Sequence, residues 1–534
     1  MKSRIMINRY LKASTQKRLP LVVSLAALIF LIGIAPQTAA ARGPNPITYI
    51  IRFPSPDTQV AEVKIRVPTS RRATVEMMMA VWSPGFYRIE DYARRVEDFS
   101  AQTPDGTRLE VERRKNRWRI HTNGKPEIVV SYRLICNQRS VTTNWVASDM
   151  IVLNGAATFI TLADDKSRPH EVWIDLPEKM DRVMTALDPS PDGVRDHYRA
   201  RDFDELADSP IVIGNPSVRQ FEVAGSRHYL ADFGDAGKWD GQRAAQDIEK
   251  IVRETHRFWG FLPFKRYVFL NVFRQGGGGL EHKNSTLLTS NASRLATPQG
   301  YLAWLAFVCH EYFHAFNVKR LRPVELGPFD YENPPRTSGL WISEGLTTYY
   351  GQLLVTRAGL SRPQDFLSWL SSQIEQLQNT PGRLVQTLEQ SSLEVWSTPT
   401  SGLAQNASPT TVSYYLKGPI AGFLLDAKIR RASGDKKSLD DVMRLAYRRY
   451  ARARGFTAEQ FRATAEEIAG VDLREWFRRA ISSVEELDYS EALEWYGLRF
   501  AAESAKKWTL EASAEATESQ KNRLRRLLEP AGSR

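Results

Sequence analysis

The stretch Trp304-Leu-Ala-Phe-Val-Cys-His-Glu-Tyr-Phe-His314 places two histidines four residues apart in a run of apolar side chains. On a helix, positions i and i+4 lie on one face, so the imidazoles of His310 and His314 can reach a single metal ion. Glu311, one residue past the first of them, then faces a metal-bound water as general base. Trp304, Leu305, Phe307 and Val308 make this a buried helix, and burial supplies a rigid, dry site. The chain of 534 residues holds only 8 histidines. At that density a chance match to the spacing is on the order of one in a hundred.

A catalytic zinc needs a third protein ligand and an open position. Glu344, in Trp341-Ile-Ser-Glu-Gly345, lies thirty residues beyond His314, at the start of another expected helix. A carboxylate at that place also serves to balance a helix dipole. Glu325, Asp330 and Glu332, in the intervening Pro-rich connection, compete for the ligand role. The residues by themselves leave these alternatives open.

Helical periodicity extends over roughly 298–318, 338–358, 363–378, 411–433, 437–452 and 457–468. Upstream, an amphipathic helix from Gln242 to Trp259 and an apolar strand from Tyr267 to Phe273 lead to a glycine run, Gly276 to Gly279, and then Leu280-Glu281-His282. From Ile47 to Phe159 the pattern is short and alternating, with expected strands at Ile47–Phe53, Val60–Val67, Val75–Val81, Trp118–His121 and Ile128–Leu134. Turn formers such as Pro54-Ser-Pro-Asp57 separate them. The expected fold is multidomain. An all-β, sandwich-like domain over 42–230 precedes an α+β, mostly helical catalytic domain over 231–500, and a charged helical tail follows over 501–534.

Lys and Arg number 73 against 61 Asp and Glu, a formal charge of +12. Half of that excess lies in residues 1–41, which hold six basic residues and no acidic one. A basic stretch ends at Arg18, an apolar run spans Leu19 to Ala35, and Ala39-Ala40-Ala41 offers a cleavage site, the pattern of a signal peptide over 1–41. The expected location is therefore outside the cytoplasm, periplasmic or secreted. The apolar run also approaches the length of a membrane span, so an uncleaved N-terminal anchor is the alternative. The remaining charge is dispersed among acidic neighbours and no basic-aromatic module appears, which excludes a nucleic-acid partner. No further membrane association is expected. Cys136 and Cys309 fall in different expected domains, which favours two buried free thiols and excludes a disulfide-stapled scaffold.

Taken together, HEYFHAFNVKRLRP (His310 to Pro323) and LWISEGLTTYY (Leu340 to Tyr350) resemble the glycyl aminopeptidase family of gluzincin zinc metallopeptidases. The resemblance extends upstream to AVWSPGFYRIEDYARRVEDF (Ala80 to Phe99) and downstream to SYYLKG (Ser413 to Gly418), so it covers roughly 45 to 495. It implies a thermolysin-like catalytic domain and one Zn2+ per chain, with His310, His314 and Glu344 as ligands and Glu311 as catalytic base. Gly278-Gly279-Leu280-Glu281-His282 sits where related aminopeptidases carry Gly-x-x-Glu-Asn, whose Glu binds the substrate's free α-amine. A glycine turn at a strand edge lets backbone approach a peptide, and a carboxylate neutralises its ammonium. His282 departs from the Asn of that element. Tyr415 matches the tyrosine that stabilises the oxyanion in relatives, and Tyr414 beside it competes. Two further departures are Phe316, where relatives often have Trp, and the length after Phe500, about 35 residues, too short for the family's usual C-terminal PDZ domain.

The resemblance implies an aminopeptidase acting on peptides with a free N-terminus, preferring small first residues of the Gly or Ala type. Two alternatives share the motifs. One is an exported oligopeptidase or endopeptidase with no strict need for a free amine; the other is a protein-binding export factor with a vestigial zinc site.

Overall fold

The computed structural model describes residues 44–397, 408–451, 453–502 and 507–529. The expected signal peptide, 1–41, lies outside the described residues.

Alternation decides the first part of the chain. In Val60–Pro68, Val63, Ile65 and Val67 point inward and are fully or almost fully buried, while Glu62, Lys64 and Arg66 face solvent. A strand whose side chains alternate in this way buries one face of its sheet. This strand pairs with Ile47–Arg52, the central strand of a seven-stranded sheet, on one side and with Glu127–Ile135 on the other. A four-stranded sheet that includes Thr74–Met79 and Arg117–His121, and another that includes Met150–Leu153 and Ile211–Gly214, share its core around Tyr49, Trp118 and Phe159. The N-terminal region is β-rich, as its alternation predicts.

A second, five-stranded sheet carries the approach to the site. Its strands are β1 (Ser217–Val223), β2 (Ser226–Phe233), β3 (Arg266–Phe273), β4 (Gly278–Glu281) and β5 (Ser285–Ser290), in the spatial order β1-β2-β3-β5-β4. Helix α1 (Gly241–Trp259) is the crossover between the parallel strands β2 and β3. β4 pairs only with β5, antiparallel, and so has a free edge.

Beyond β5 the chain is helical. Helix α2 (Pro298–Phe313) starts where Thr297 accepts a hydrogen bond from the Gly300 amide, with Pro298 in the first turn. Periodicity predicts helix to residue 318, but regular helix stops at Phe313. The backbone then folds back, with the Lys319 amide donating to the His314 carbonyl and the Leu321 amide to the Phe316 carbonyl. Val318 sits at φ 114°, a sterically costly conformation for a β-branched residue. The expected helix 338–358 is also modified. Its first turn, Trp341–Gly345, is a wide π turn in which the Leu346 amide bonds to the Trp341 carbonyl five residues back, and α3 (Leu346–Arg357) follows.

Two glycine contacts set the spacing of these helices. A Cβ on Gly351 of α3 would lie 3.0 Å from the Ala306 carbonyl and 3.2 Å from His310 Cβ, so α3 packs close against the histidine face of α2. Gly345, in the π turn, meets Gly418 of α4 (Tyr414–Ala432), and a Cβ on either would lie 2.8 Å from the other's Cα. The C-terminal segment joins this body. Strands Leu498–Phe500 and Leu510–Ala512 form a short ribbon, which corrects the expectation that this stretch is helical and not strand-like. Helix α5 (Glu518–Leu528) buries Leu527 and Leu528, and the Leu527 carbonyl accepts from Arg357 Nε at 2.9 Å. Cys136 and Cys309 are buried free thiols, as their placement predicts.

Replacing Gly418 by Ala is expected to force the π turn away from α4 and to destabilise the protein by about 1–3 kcal/mol, the usual cost of overpacking. Urea unfolding of the purified variant reads this as a lower midpoint. An unchanged midpoint would mean that the close approach carries no weight.

Candidate active site

Helix α2 presents His310 and His314 to one point, and the π turn presents Glu344 to the same point. His310 Nε2 and His314 Nε2 lie 2.9 Å apart. Glu344 Oε2 lies 3.1 Å from His314 Nε2 and 3.7 Å from His310 Nε2. One ligand atom from each falls within 4.8 Å of the others. His314 and Glu344 are 1% exposed, so no solvent masks this convergence. The rival carboxylates go elsewhere: Glu325 accepts from Thr337, Asp330 caps the turn at Glu332 and Asn333, and Glu332 is bridged by Arg117.

Neighbours fix each member of the cluster. His314 Nδ1 donates to the Asn317 carbonyl at 2.8 Å. The Asn317 amide in turn donates to the Ile342 carbonyl at 2.8 Å and to Thr347 Oγ1 at 3.0 Å, tying the turn after α2 to the π turn. Thr348 donates to the Glu344 carbonyl at 2.9 Å and lies 3.4 Å from His310 Nδ1. Tyr415, in the first turn of α4, donates its hydroxyl to Glu344 Oε2 at 2.9 Å, and the Tyr87 hydroxyl lies 3.4 Å from Glu344 Oε1. Tyr414 lines the same cleft, its ring tilted 37° against that of Tyr415 and almost fully buried.

The charges explain one another. Burial resists the ionisation of Glu344, but His314 and His310 hold its pKa well below the ordinary carboxylate value. Burial likewise opposes protonation of His314, yet Glu344, Glu281 and Glu311 outweigh it and raise its pKa to about 10. His310, buried and beside a charged His314, is lowered to about 4. A dication suits this place, because two neutral imidazoles and a carboxylate are the donor set of catalytic zinc sites.

Two more carboxylates face the same cavity, of about 970 Å³. Glu311 and Glu281 are both buried, and each has one oxygen with no hydrogen-bond partner, Oε2 and Oε1 respectively. Each also rests against a glycine. A Cβ on Gly279 would lie 2.3 Å from Glu311 Oε1, and a Cβ on Gly85 would lie 2.3 Å from Glu281 Oε1. Gly85 additionally adopts φ 101°, which favours glycine. Gly278 opens the edge strand beside it. Burial, reinforced by Glu281 and Glu344 and opposed by His314, pushes the Glu311 pKa well above its ordinary value.

Behind Glu281 lies a buried network centred on Lys319. Its ammonium donates to Asp208 Oδ1 at 2.9 Å and to the Pro84 carbonyl at 3.2 Å, and stands 4.0 Å from Glu281 Oε1. His282 turns away from the cavity, with Nδ1 3.3 Å from Asp208 Oδ1. Tyr87, Gly85, Asp208, Asn317 and Lys319 were not singled out by sequence reasoning. Four of them lie inside or beside quoted stretches, Ala80 to Phe99 and His310 to Pro323, but only the fold brings them to Glu281 and Glu344.

This fold around a two-histidine, one-glutamate cluster is that of a metallopeptidase of the aminopeptidase class. Residues 48–215 match the family model of the peptidase M61 N-terminal domain, and residues 303–421 match that of M61 glycyl aminopeptidase. The chain belongs to the M61 glycyl aminopeptidase family. Among solved structures, an aminopeptidase N family protein from Idiomarina loihiensis superposes with a TM-score of 0.80 at 26% identity, over 85% of this chain and 79% of that one. An M1 zinc metallopeptidase from Deinococcus radiodurans superposes with a TM-score of 0.51 at 13% identity, over 84% of this chain and 95% of that one. A mutant of an M1 zinc metallopeptidase from the same organism, bound to a Tyr-Ser-Ala substrate, gives 0.51 at 11% over the same shares. At that distance the likeness is one of fold alone. No curated protein matches the sequence.

Two outcomes follow from the cluster. Metal uptake must displace the proton held on His314, so apparent affinity should rise about tenfold per pH unit across the neutral range. Chelator competition between pH 6 and pH 8 reads the slope, and a flat profile would contradict a protonated His314 in the metal-free site. Asn317→Ala should weaken metal binding about 10–100-fold, as loss of an outer-shell support does, with the circular dichroism spectrum unchanged.

Proposed function

We propose that this chain is an exported zinc aminopeptidase that removes small N-terminal residues, of the Gly or Ala type, from peptides. What supports the exopeptidase reading above all is Glu281. It is a buried carboxylate on the free-edged strand beside the cluster, it lines the cavity, and one of its oxygens has no hydrogen-bond partner among the described residues. A buried carboxylate with an unsatisfied acceptor at the cavity wall suits a donor from the ligand, and a peptide's α-ammonium supplies one with charge.

His310, His314 and Glu344 would hold one zinc ion, which when bound polarises the scissile carbonyl and acidifies water. Glu311, with its raised pKa, accepts the proton of the attacking water and returns it to the leaving amine. Its unpartnered oxygen leaves room for that proton. Tyr415, already donating toward the cluster at 2.9 Å, can turn its hydroxyl to the developing oxyanion. Gly278 and Gly279 let the peptide backbone lie against β4, where any side chain at 279 would strike Glu311. Lys319 and Asp208 close the cavity behind Glu281, so the bound residue is the first of its chain.

Glu311→Gln should lower kcat about 10²–10⁴-fold on Gly- and Ala-leading peptides, the usual share of a general base. Chelator should abolish turnover and zinc restore it. N-acetylation of the substrate should abolish cleavage, and Glu281→Ala should raise KM for the free peptide more than it lowers kcat. Acetylated peptides cleaved as fast as free ones would overturn the exopeptidase reading.

A further inference from the structure

The cleft is acidic at the cluster but carries arginines along its outer length: Arg88, Arg139 and Arg274. Arg88 is neutralised by Glu90 and lies over the Phe86 ring. The other two differ. Among the described residues, neither Arg139 nor Arg274 has a carboxylate partner. Arg274 donates only to the neighbouring Gln275 carbonyl, at 3.2 Å, and its guanidinium lies 5.8 Å from the centre of the Trp145 ring. Its Nε is buried and has no hydrogen-bond partner among the described residues. Burial and the nearby Arg139 both lower the Arg274 pKa below the ordinary guanidinium value. Two like charges thus line one cleft, Arg274 partly desolvated and Arg139 exposed, with no carboxylate paired to either among the described residues. Such an arrangement favours an anion that arrives from outside.

Their place in the fold says which anion. Lys319, Asp208 and the Gly85 loop close the cavity behind Glu281. A peptide whose ammonium rests on Glu281 and whose backbone lies against β4 runs along the free edge of that strand, toward Gly278 and the glycines before it. Arg274 stands at the head of that glycine run. Val141, two residues from Arg139, packs at Gly278, where a Cβ would lie 3.6 Å from Val141 Cγ1. Three extended residues span about 10 Å, the length of β4, so the third or fourth residue of the substrate comes level with the two guanidiniums.

We propose that Arg139 and Arg274 form a carboxylate-reading subsite, which selects peptides bearing a carboxylate at the third or fourth residue. The inference rests on the aminopeptidase reading, in which Glu281 fixes the N-terminus. Two sources carry the same chemistry: the C-terminus of a tri- or tetrapeptide, or an Asp or Glu side chain in a longer one.

Four substrates separate these. Gly-Ala-Ala-Ala is compared with its C-terminal amide, and an amidated Gly-leading octapeptide with Glu at position four is compared with the Gln version. The readout is the kcat/KM ratio within each pair, which general damage to the site does not move. A ratio of about tenfold or more in the first pair assigns the subsite to chain ends; in the second, to acidic side chains. Either ratio should fall to near one in the Arg139→Ala, Arg274→Ala double variant and persist in part in Arg274→Lys, which keeps a charge. Equal rates within both pairs for the wild type would overturn the proposal, as would a preference that survives the double variant. If the wild type cleaves none of the four, the aminopeptidase reading fails separately. Calorimetric binding of the same pairs to zinc-loaded Glu311→Gln protein then decides the subsite on its own, an affinity ratio near one overturning it.

Discussion

Three carboxylates, two imidazoles and an ammonium are gathered, mostly buried, around one cleft. Glu281, Glu311, Glu344, His314 and Lys319 are all at most 5% exposed. Isolated charges cannot be buried in this way, because desolvation costs several kcal/mol per ion unless neighbours compensate. The organisation around the pocket serves that requirement. His314 and Glu344 hold each other charged, Asp208 and the Pro84 carbonyl take up Lys319, and Glu311 and Glu281 keep an oxygen each for whatever enters. A cation at the histidines and an ammonium at Glu281 would complete the balance.

Holding these groups in register falls to close backbone approaches. Gly351 brings α3 against the histidine face of α2, and the Gly345–Gly418 contact lets the π turn and α4 carry Glu344 and Tyr415 to the same point. The wide π turn matters for the same reason: an extra residue in the turn shifts Glu344 relative to the rest of its helix. Strain is concentrated nearby, at Val318, in the turn that delivers both Asn317 and Lys319. The N-terminal β region takes part as well. The Val81 amide bonds to the Tyr331 carbonyl, and Trp82 Nε1 to the Asp330 carbonyl, and this anchorage carries the loop with Gly85 and Tyr87 onto Glu281 and Glu344. The β region therefore forms one wall of the cavity.

Some of this was legible in the residues. The i, i+4 histidines on an apolar run define a buried helix and one metal-facing stripe whatever surrounds them, because helical geometry is local. Alternation over Val60–Val67 likewise defines a half-buried strand. Glu344 was harder, since a first-turn carboxylate reads equally as a dipole partner and only the destinations of Glu325, Asp330 and Glu332 remove the rivals. The choice between Tyr414 and Tyr415 as the residue pointing at the cluster could not be made from adjacency, because neighbours on a helix diverge by about 100°. The hydroxyl of Tyr415 is the one that reaches Glu344.

The sequence by itself determined the local periods, the metal-binding residue types, and the glycine run beside Glu281. It did so because each depends on spacing within a few residues. Only the tertiary structure decided that Gly85 and Gly279 seat Glu281 and Glu311, that Lys319 lies behind Glu281, and that Arg139 and Arg274 line one cleft. Those residues lie on separate elements, from 135 to 194 positions apart in the first and last of these pairs. No local preference joins them; packing of the β region against the helices does.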